Sequence, residues 1–274
     1  MPNLHILRKP DALGIFEIAS PGKYPLKWLT ISRILLDRTM PEIDFETAGG
    51  EAVLDILGGK CTVNIRTGSR AAIFREIGER PNVFAGEPTM AYIPRGAYVI
   101  ITVEGDALEA ILMTAPAENE HPPVLVCPEE AQIRNIGKDN WQRTVVTSIG
   151  ENVKADRLIV GETTNPPGNW SSAPPHKHDE YRDGEVPMEE VYFYKLDPPQ
   201  GFGLQRVYTG KGDPDPFDVT YAVRNGDAVI LPRGYHPVVA APGYRLFYLW
   251  VLAGEERKYG AWSDDPEHTW IKDG

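Results

Sequence analysis

Short apolar runs alternate with turn residues along nearly the whole chain. Runs rich in Val, Ile, Leu, Tyr and Phe occupy residues 98–103, 108–113, 191–196, 204–208, 228–231 and 246–252, and 26 Gly and 25 Pro punctuate the intervals. Strand-length runs at such spacing predict an all-β sandwich or barrel. Residues 70–77 make the best helical candidate, and it is short. Neither βαβ alternation nor a Gly-rich phosphate loop occurs, which argues against a nucleotide-binding sheet.

The pattern repeats. Pro94-Arg95-Gly96 recurs as Pro232-Arg233-Gly234, an offset of 138 residues. At that offset Ile93 falls on Leu231, Gly105 on Gly243, Leu108 on Leu246, Ile111 on Leu249 and Met113 on Val251. Each copy reads as strand, Pro-x-Gly turn, strand, glycine turn, strand. A gapless ladder of apolar and turn residues predicts two similar β domains, residues 1–122 and 123–274, joined by the proline-bearing segment 121–141.

The copies differ in chemistry. Only the second contains Pro174-Pro175-His176-Lys177-His178, whose two imidazoles share one face if the segment is extended. Glu189-Glu190 opens the next apolar run, and His236 follows the Pro232-Arg233-Gly234 corner. His176, His178, one of the two carboxylates and His236 would converge inside a small barrel and leave coordination positions open, the layout of a catalytic metal site. Glu190 shares a strand face with Tyr192 and Tyr194, Glu189 with Val191 and Phe193, and periodicity does not choose between them. In the first copy Tyr98 stands where His236 does, and Glu51 resembles Glu190 but has no His-x-His before it. That domain is expected to keep the fold without the ligands.

Composition narrows the partners. With 28 Lys+Arg against 39 Asp+Glu, the net charge of −11 argues against nucleic acid or an anionic membrane. No apolar run approaches the ~20 residues of a membrane span, and the first residues lack a signal-peptide core. Cys61 and Cys127 form neither a disulfide framework nor a zinc-finger spacing. A cytoplasmic protein is expected. Its oligomeric state is open and compatible with a homo-oligomer, although two β domains in one chain already offer the packing that single-domain relatives obtain by dimerising.

His-x-His…Glu followed by Gly-x5-Pro-x-Gly-x-His resembles the metal-binding motifs of the cupin superfamily, with a longer spacer before Glu190 and a shorter one before His236. The strings Gly168-Asn169-Trp170-Ser171-Ser172, Pro174-Pro175-His176-Lys177-His178-Asp179, Gln205-Arg206-Val207-Tyr208-Thr209 and Pro232-Arg233-Gly234-Tyr235-His236-Pro237 resemble the 5-deoxy-glucuronate isomerases, bicupin enzymes of bacterial inositol catabolism. The match covers most of residues 134–254 in detail and the N-terminal half more loosely. The related 4-deoxy-5-threo-uronate isomerases carry the same kind of His-x-His…Glu-Val-Tyr-Phe-Tyr site, which implies Glu190 as the carboxylate ligand.

That resemblance implies a bicupin fold, one divalent metal ion (Zn or Mn), no organic cofactor and a sugar-acid substrate. The implied reaction converts 5-deoxy-D-glucuronate into 5-dehydro-2-deoxy-D-gluconate, aldose to ketose. Such a reaction needs a group that passes a proton along one face, and Glu189, Tyr192, Tyr194 and Tyr208 are the candidates unless a hydride moves instead. Arg206 is the first choice to bind the substrate's carboxylate. Gln205, on the opposite face of that strand, and Tyr194 are further substrate-binding candidates, with Lys177, Lys195 and Arg233 weaker ones. The acidic insert 179–189 is either a lid or a solvated hairpin. Competing readings are an Fe(II) cupin dioxygenase and a non-catalytic sugar-binding cupin.

Overall fold

The computed structural model describes residues 6–8 and 12–272, and among them are strands and 3-10 turns but no α-helix. The described residues form two compact units, one from 12–132 with 147–160, the other from 6–8, 133–146 and 161–272. These boundaries differ from the expected division at 122/123. Strand Ile6–Arg8 pairs antiparallel with Asp227–Leu231 of the second unit, whereas Val124–Val126 pairs with Thr89–Ile93 of the first. Main-chain N–H and C=O groups at an open sheet edge need partners, and these short segments supply them at the cost of a linear domain order.

The first unit is built on one sheet ordered Gly14–Ala19, Thr30–Asp37, Tyr98–Pro116, Gly50–Arg66, Thr89–Ile93 and Val124–Val126. Strand Tyr98–Pro116 continues through Gly105, where φ is +97° and the pairing jumps from Lys60–Glu104 to Gly59–Leu108, so the glycine the repeat suggested as a turn is a bulge within one long strand. Residues 70–77 are not helical either: Ala71–Ile77 is a strand against Gly50–Arg66. Its alternating exposure follows the two-residue period of Ala-Ala-Ile-Phe-Arg, too short a signal to separate from a helical one by eye. Ala52, Leu54, Ile56, Ile93, Ala110 and Leu112 fill the interior with apolar atoms.

A seven-stranded sheet belongs mostly to the second unit. Its order is Ile6–Arg8, Asp227–Leu231, Met188–Asp197, Arg245–Gly254, Ile159–Asn165, Arg143–Ile149 and Gln132–Ile136. A four-stranded sheet runs Trp170–Ser171, Val238–Ala240, Phe202–Tyr208, Asp218–Arg224. Tyr194 of the larger sheet donates its hydroxyl hydrogen to Gln205 Oε1 of the smaller at 2.5 Å, so the two sheets enclose a common interior. Tyr194, Phe193 and Phe247 are among the largest fully buried side chains, each stabilising by about 1.5–3 kcal/mol through burial. The fold is all-β with two barrels in one chain, as the bicupin resemblance implies.

The registers match over residues 51–56 of the first unit and 189–194 of the second, before a bulge after Ile56 shifts the first. Glu190 pairs with Leu231 and Leu252, and Ala52 pairs with Ile93 and Thr114, each exactly one repeat length apart in sequence. Glu51, paired with Ala115, therefore corresponds to Glu189, paired with Ala253. The resemblance of Glu51 to Glu190 is off by one residue, and a one-residue shift moves a side chain to the other face of a strand.

Candidate metal centre

His176–Lys177 is a two-residue strand held antiparallel to Ser263–Asp264. Extended backbone puts His176 and His178 on one side and Lys177 on the other. Lys177 is fully engaged there, bonding Glu185 at 3.0 Å and Asp179. Glu185, wholly buried, also accepts from the Asp179 and Glu180 main-chain N–H groups and from Arg182 Nε at 2.6 Å. The acidic insert is thus an ordered hairpin folded around one carboxylate. Asp179 further accepts the Gly234 N–H at 2.7 Å, tying this hairpin to the turn before His236. Gly234 has φ +91°, and a Cβ there would sit 2.7 Å from the Tyr208 carbonyl oxygen, so the corner requires glycine.

Three candidate ligands converge. The ligating atoms of His178, Glu190 and His236, all buried, lie within 4.8 Å of one another. Glu190 Oε2 is 3.2 Å from His178 Nε2 and 3.3 Å from His236 Nε2. The other ring nitrogens face carbonyls: His178 Nδ1 donates to Met188 O at 2.7 Å, and His236 Nδ1 to Gly234 O at 2.9 Å. A carbonyl only accepts, so each Nδ1 carries the hydrogen and each neutral ring turns its Nε2 lone pair toward the carboxylate. Lone pairs facing an anion repel unless a cation lies between them. A proton on His178 is one solution; although burial disfavours it, the bond to Glu190 raises the pKa of that ring. His236 Nε2 remains buried with no hydrogen-bond partner. The donor set of two imidazoles and one carboxylate fits a divalent transition metal.

His176 stands beside this trio, not within it. Its ring centroid is 4.9 Å from that of His236 and 6.3 Å from that of His178, and it leans on Trp262 at 5.1 Å. Burial, reinforced by nearby positive charge, brings the pKa of His176 down to about 3, and burial does the same for His236. Both rings are neutral at ordinary pH, as metal ligands must be.

The centre opens on a cavity lined in part by Arg143, Ser172, Tyr192, Tyr248, Trp250 and Trp262. Of the proposed proton carriers only Tyr192 faces it, with its hydroxyl 3.5 Å from Ser172 Oγ. Burial first, then the Glu190 charge, pushes the Tyr192 phenol well above its usual range. Glu189, one residue along the strand, does not line the cavity. Tyr208 opens instead on a separate surface groove and donates to Asp265 at 2.7 Å.

The substrate-binding expectations fare likewise. Arg206 lies in that outer groove, forked onto Asp218 at 2.9 and 2.7 Å and stacked on Tyr208 at 3.9 Å, because strand alternation turns Gln205 inward and Arg206 out. Gln205 and Tyr194 bond each other deep in the barrel. The Gln205 amide also donates to the carbonyls of His236 and Pro237, at 2.8 and 3.0 Å, and so braces the His236 segment. Arg233 pairs with Asp213 and Asp215, while Lys195 lies over the Phe193 ring. Arg143, which no motif marked, is the cation that lines the cavity.

A sequence profile of the KduI/IolB family matches residues 37–271. The chain belongs to the KduI/IolB family. Relatives within reach include a 5-deoxy-glucuronate isomerase of Bacillus licheniformis, 40% identical over 97% of this chain and 98% of that one. Another, from Geobacillus thermodenitrificans, is 38% identical over 82% and 80%. Membership makes this KduI/IolB chain an isomerase acting on a small molecule. A crystal structure of an IolB-like protein of Salmonella typhimurium superposes with a TM-score of 0.88 at 32% identity, over 98% of this chain and 99% of that one. Oxalate decarboxylase of Lactobacillus farciminis, 11% identical, shares the fold with a TM-score of 0.65 over 93% and 85%. No helix among the described residues is long and apolar enough to cross a membrane.

Proposed function

We propose that this KduI/IolB chain isomerises 5-deoxy-D-glucuronate to 5-dehydro-2-deoxy-D-gluconate at a divalent metal held by His176, His178, Glu190 and His236. One observation carries the reading: two imidazole lone pairs face one buried carboxylate oxygen, at 3.2 and 3.3 Å, beside a cavity that His178 and Glu190 help to line. A divalent ion there supplies Lewis acidity toward the negative charge that builds on the C1 and C2 oxygens of the substrate.

The reaction moves the C2 hydrogen to C1 and the O2 proton to O1, with no net redox change. The Met188 and Gly234 carbonyls hold the His178 and His236 rings in the tautomer the site needs. Tyr192 keeps its proton at neutral pH, which suits it to pass a proton between the two oxygens of the substrate rather than to take one from carbon. Trp250 and Trp262 wall the cavity and shield such transfers from bulk water.

The experiment is metal analysis of the purified protein together with NMR of 5-deoxy-glucuronate incubated with it. Bound Zn or Mn near one ion per chain and appearance of the ketose are expected. Full turnover by metal-free protein would overturn the metal's role, and oxygen uptake without isomerisation would favour a dioxygenase.

A further inference from the structure

We infer that Arg143, which lines the same cavity as the histidines, is the anchor for the substrate's carboxylate and so a specificity-determining residue. The inference rests on the isomerase reading of the same site. Arg143 lines the cavity together with His176, His178 and Glu190. Its Nε is buried and has no acceptor. Its Nη1 donates to the Trp141 carbonyl at 3.2 Å, and the guanidinium carbon lies 5.6 Å from the Trp141 ring. No carboxylate pairs with it among the described residues.

Elsewhere in this unit carboxylates do pair with cations. Lys177, Arg206, Arg233, Arg245 and Lys272 each pair with an Asp or Glu. A chain with eleven more acidic than basic residues has carboxylates to spare, yet the one carboxylate among the described lining residues is Glu190, which faces His178 and His236, and the lining otherwise includes hydroxyls and aromatic rings such as Ser171, Tyr248 and Tyr259. A partly buried guanidinium without a counter-ion is unfavourable, and a buried Nε left without an acceptor is more so. A ligand carboxylate satisfies both demands in one bidentate contact. It also solves the problem of drawing an anion to an acidic protein, since the attraction is local.

The test compares wild type, Arg143→Met and Arg143→Lys, each loaded with Mn(II) or Zn(II). Arg143→Met is expected to raise KM for 5-deoxy-glucuronate about 100-fold with unchanged metal content, and Arg143→Lys, which keeps the charge and loses the fork, about tenfold. Calorimetric titration supplies a readout independent of turnover: wild type binds D-gluconate in preference to sorbitol, and both variants lose most of that preference. Arg143→Lys keeps the test decisive should Arg143→Met fail to fold. A folded variant whose KM and gluconate preference stay within about twofold of wild type overturns the assignment. If wild type itself does not turn over the uronate, the proposed reaction fails, and the gluconate–sorbitol comparison still judges Arg143 alone.

Discussion

The interiors of the two barrels differ at matched positions of one shared register. Where the second unit has Glu190, Tyr192, Tyr194, Tyr248 and Trp250, the first has Ala52, Leu54, Ile56, Ala110 and Leu112. Backbone pairing at these positions is the same in both. In the first unit these side chains close into a dry apolar core. In the second, each polar atom finds a partner: Tyr194 on Gln205, Tyr248 on Ser171 at 2.5 Å, Trp250 Nε1 on Thr163 at 3.1 Å. Buried polar groups are tolerated when they are paired. Among the exceptions, His236 Nε2 faces Glu190 at the candidate metal centre and Arg143 Nε belongs to a residue that lines the cavity, while Asn165 Oδ1 is a third. Gly161 belongs to the same arrangement, because a Cβ there would stand 2.3 Å from the Trp250 ring. The comparison teaches that the framework tolerates either filling, and that the site is made by what the strands carry inward.

The largest effect should come from removing a ligand. His178→Ala is expected to abolish bound metal and activity together, activity falling by well over the roughly 100-fold typical of losing a group that only orients a ligand. Metal content by mass spectrometry and turnover by NMR check it, and an active, metal-free variant would break the contrast between the two barrels. The converse substitution tests the first unit. Ala52→Glu places a carboxylate at the Glu190 register position, but among Leu54, Ile93 and Leu112 and with Tyr98 where the second unit has His236. It should destabilise by about 3–5 kcal/mol, the cost of an unpaired buried charge, without creating a second metal site. Urea denaturation and metal stoichiometry read both outcomes.

Much of this contrast was legible in the residues. The gapless ladder from Ile93 and Pro94 onward locates the strand pairings of both barrels, because turn and apolar positions fix register. The His-x-His pair and His236 stand out through their type and their place on the second copy only. Three features escaped for physical reasons. Glu51 looks like Glu190 because both precede apolar runs, yet only pairing partners reveal the one-residue offset. Arg206 and Gln205 occupy opposite faces of one strand, and nothing local says which face looks inward. Arg143 lies in Trp-Gln-Arg-Thr-Val-Val, where an arginine beside a strand ordinarily faces solvent. Its signal is the absence of an acidic partner, a property of three-dimensional surroundings.

Glu51 itself sharpens the comparison at smaller magnitude. Its carboxylate accepts the N–H groups of Asp156, Arg157 and Leu158 at 2.7, 2.7 and 2.9 Å, and the Tyr92 hydroxyl at 2.8 Å. It is a fastener for the 156–158 loop within the first unit, on the strand face opposite Ala52. Glu51→Gln loses the charge and one acceptor and should cost about 2 kcal/mol, seen as a lower urea midpoint, with metal content and KM unchanged. A fall in metal content would show that the two barrels are coupled in a way their separate interiors do not suggest.

The smallest effect concerns acid. Burial alone would raise the Asp156 carboxyl, but N–H bonds from Asn119 and Glu118, the Asn119 amide and His121 bring it down to about 2. A carboxyl depressed below its unfolded value of about 3.9 stabilises the native state above that pH, and the contribution is lost as pH falls from about 4 toward 2. Asp156→Asn should therefore lower stability modestly at neutral pH and flatten the decline between those limits, because the variant has no proton to take up there. Stability curves at successive pH values check the slope. Glu185, held near the same value in the second unit against the cost of burial by Ser263, the Asp179 N–H and Lys177, gives the paired measurement. Glu185→Gln should flatten the same acid limb and also loosen the hairpin that carries His178, lowering metal affinity, whereas Asp156→Asn leaves metal affinity alone. Equal metal affinity in the two variants would mean that the hairpin does not position the histidines.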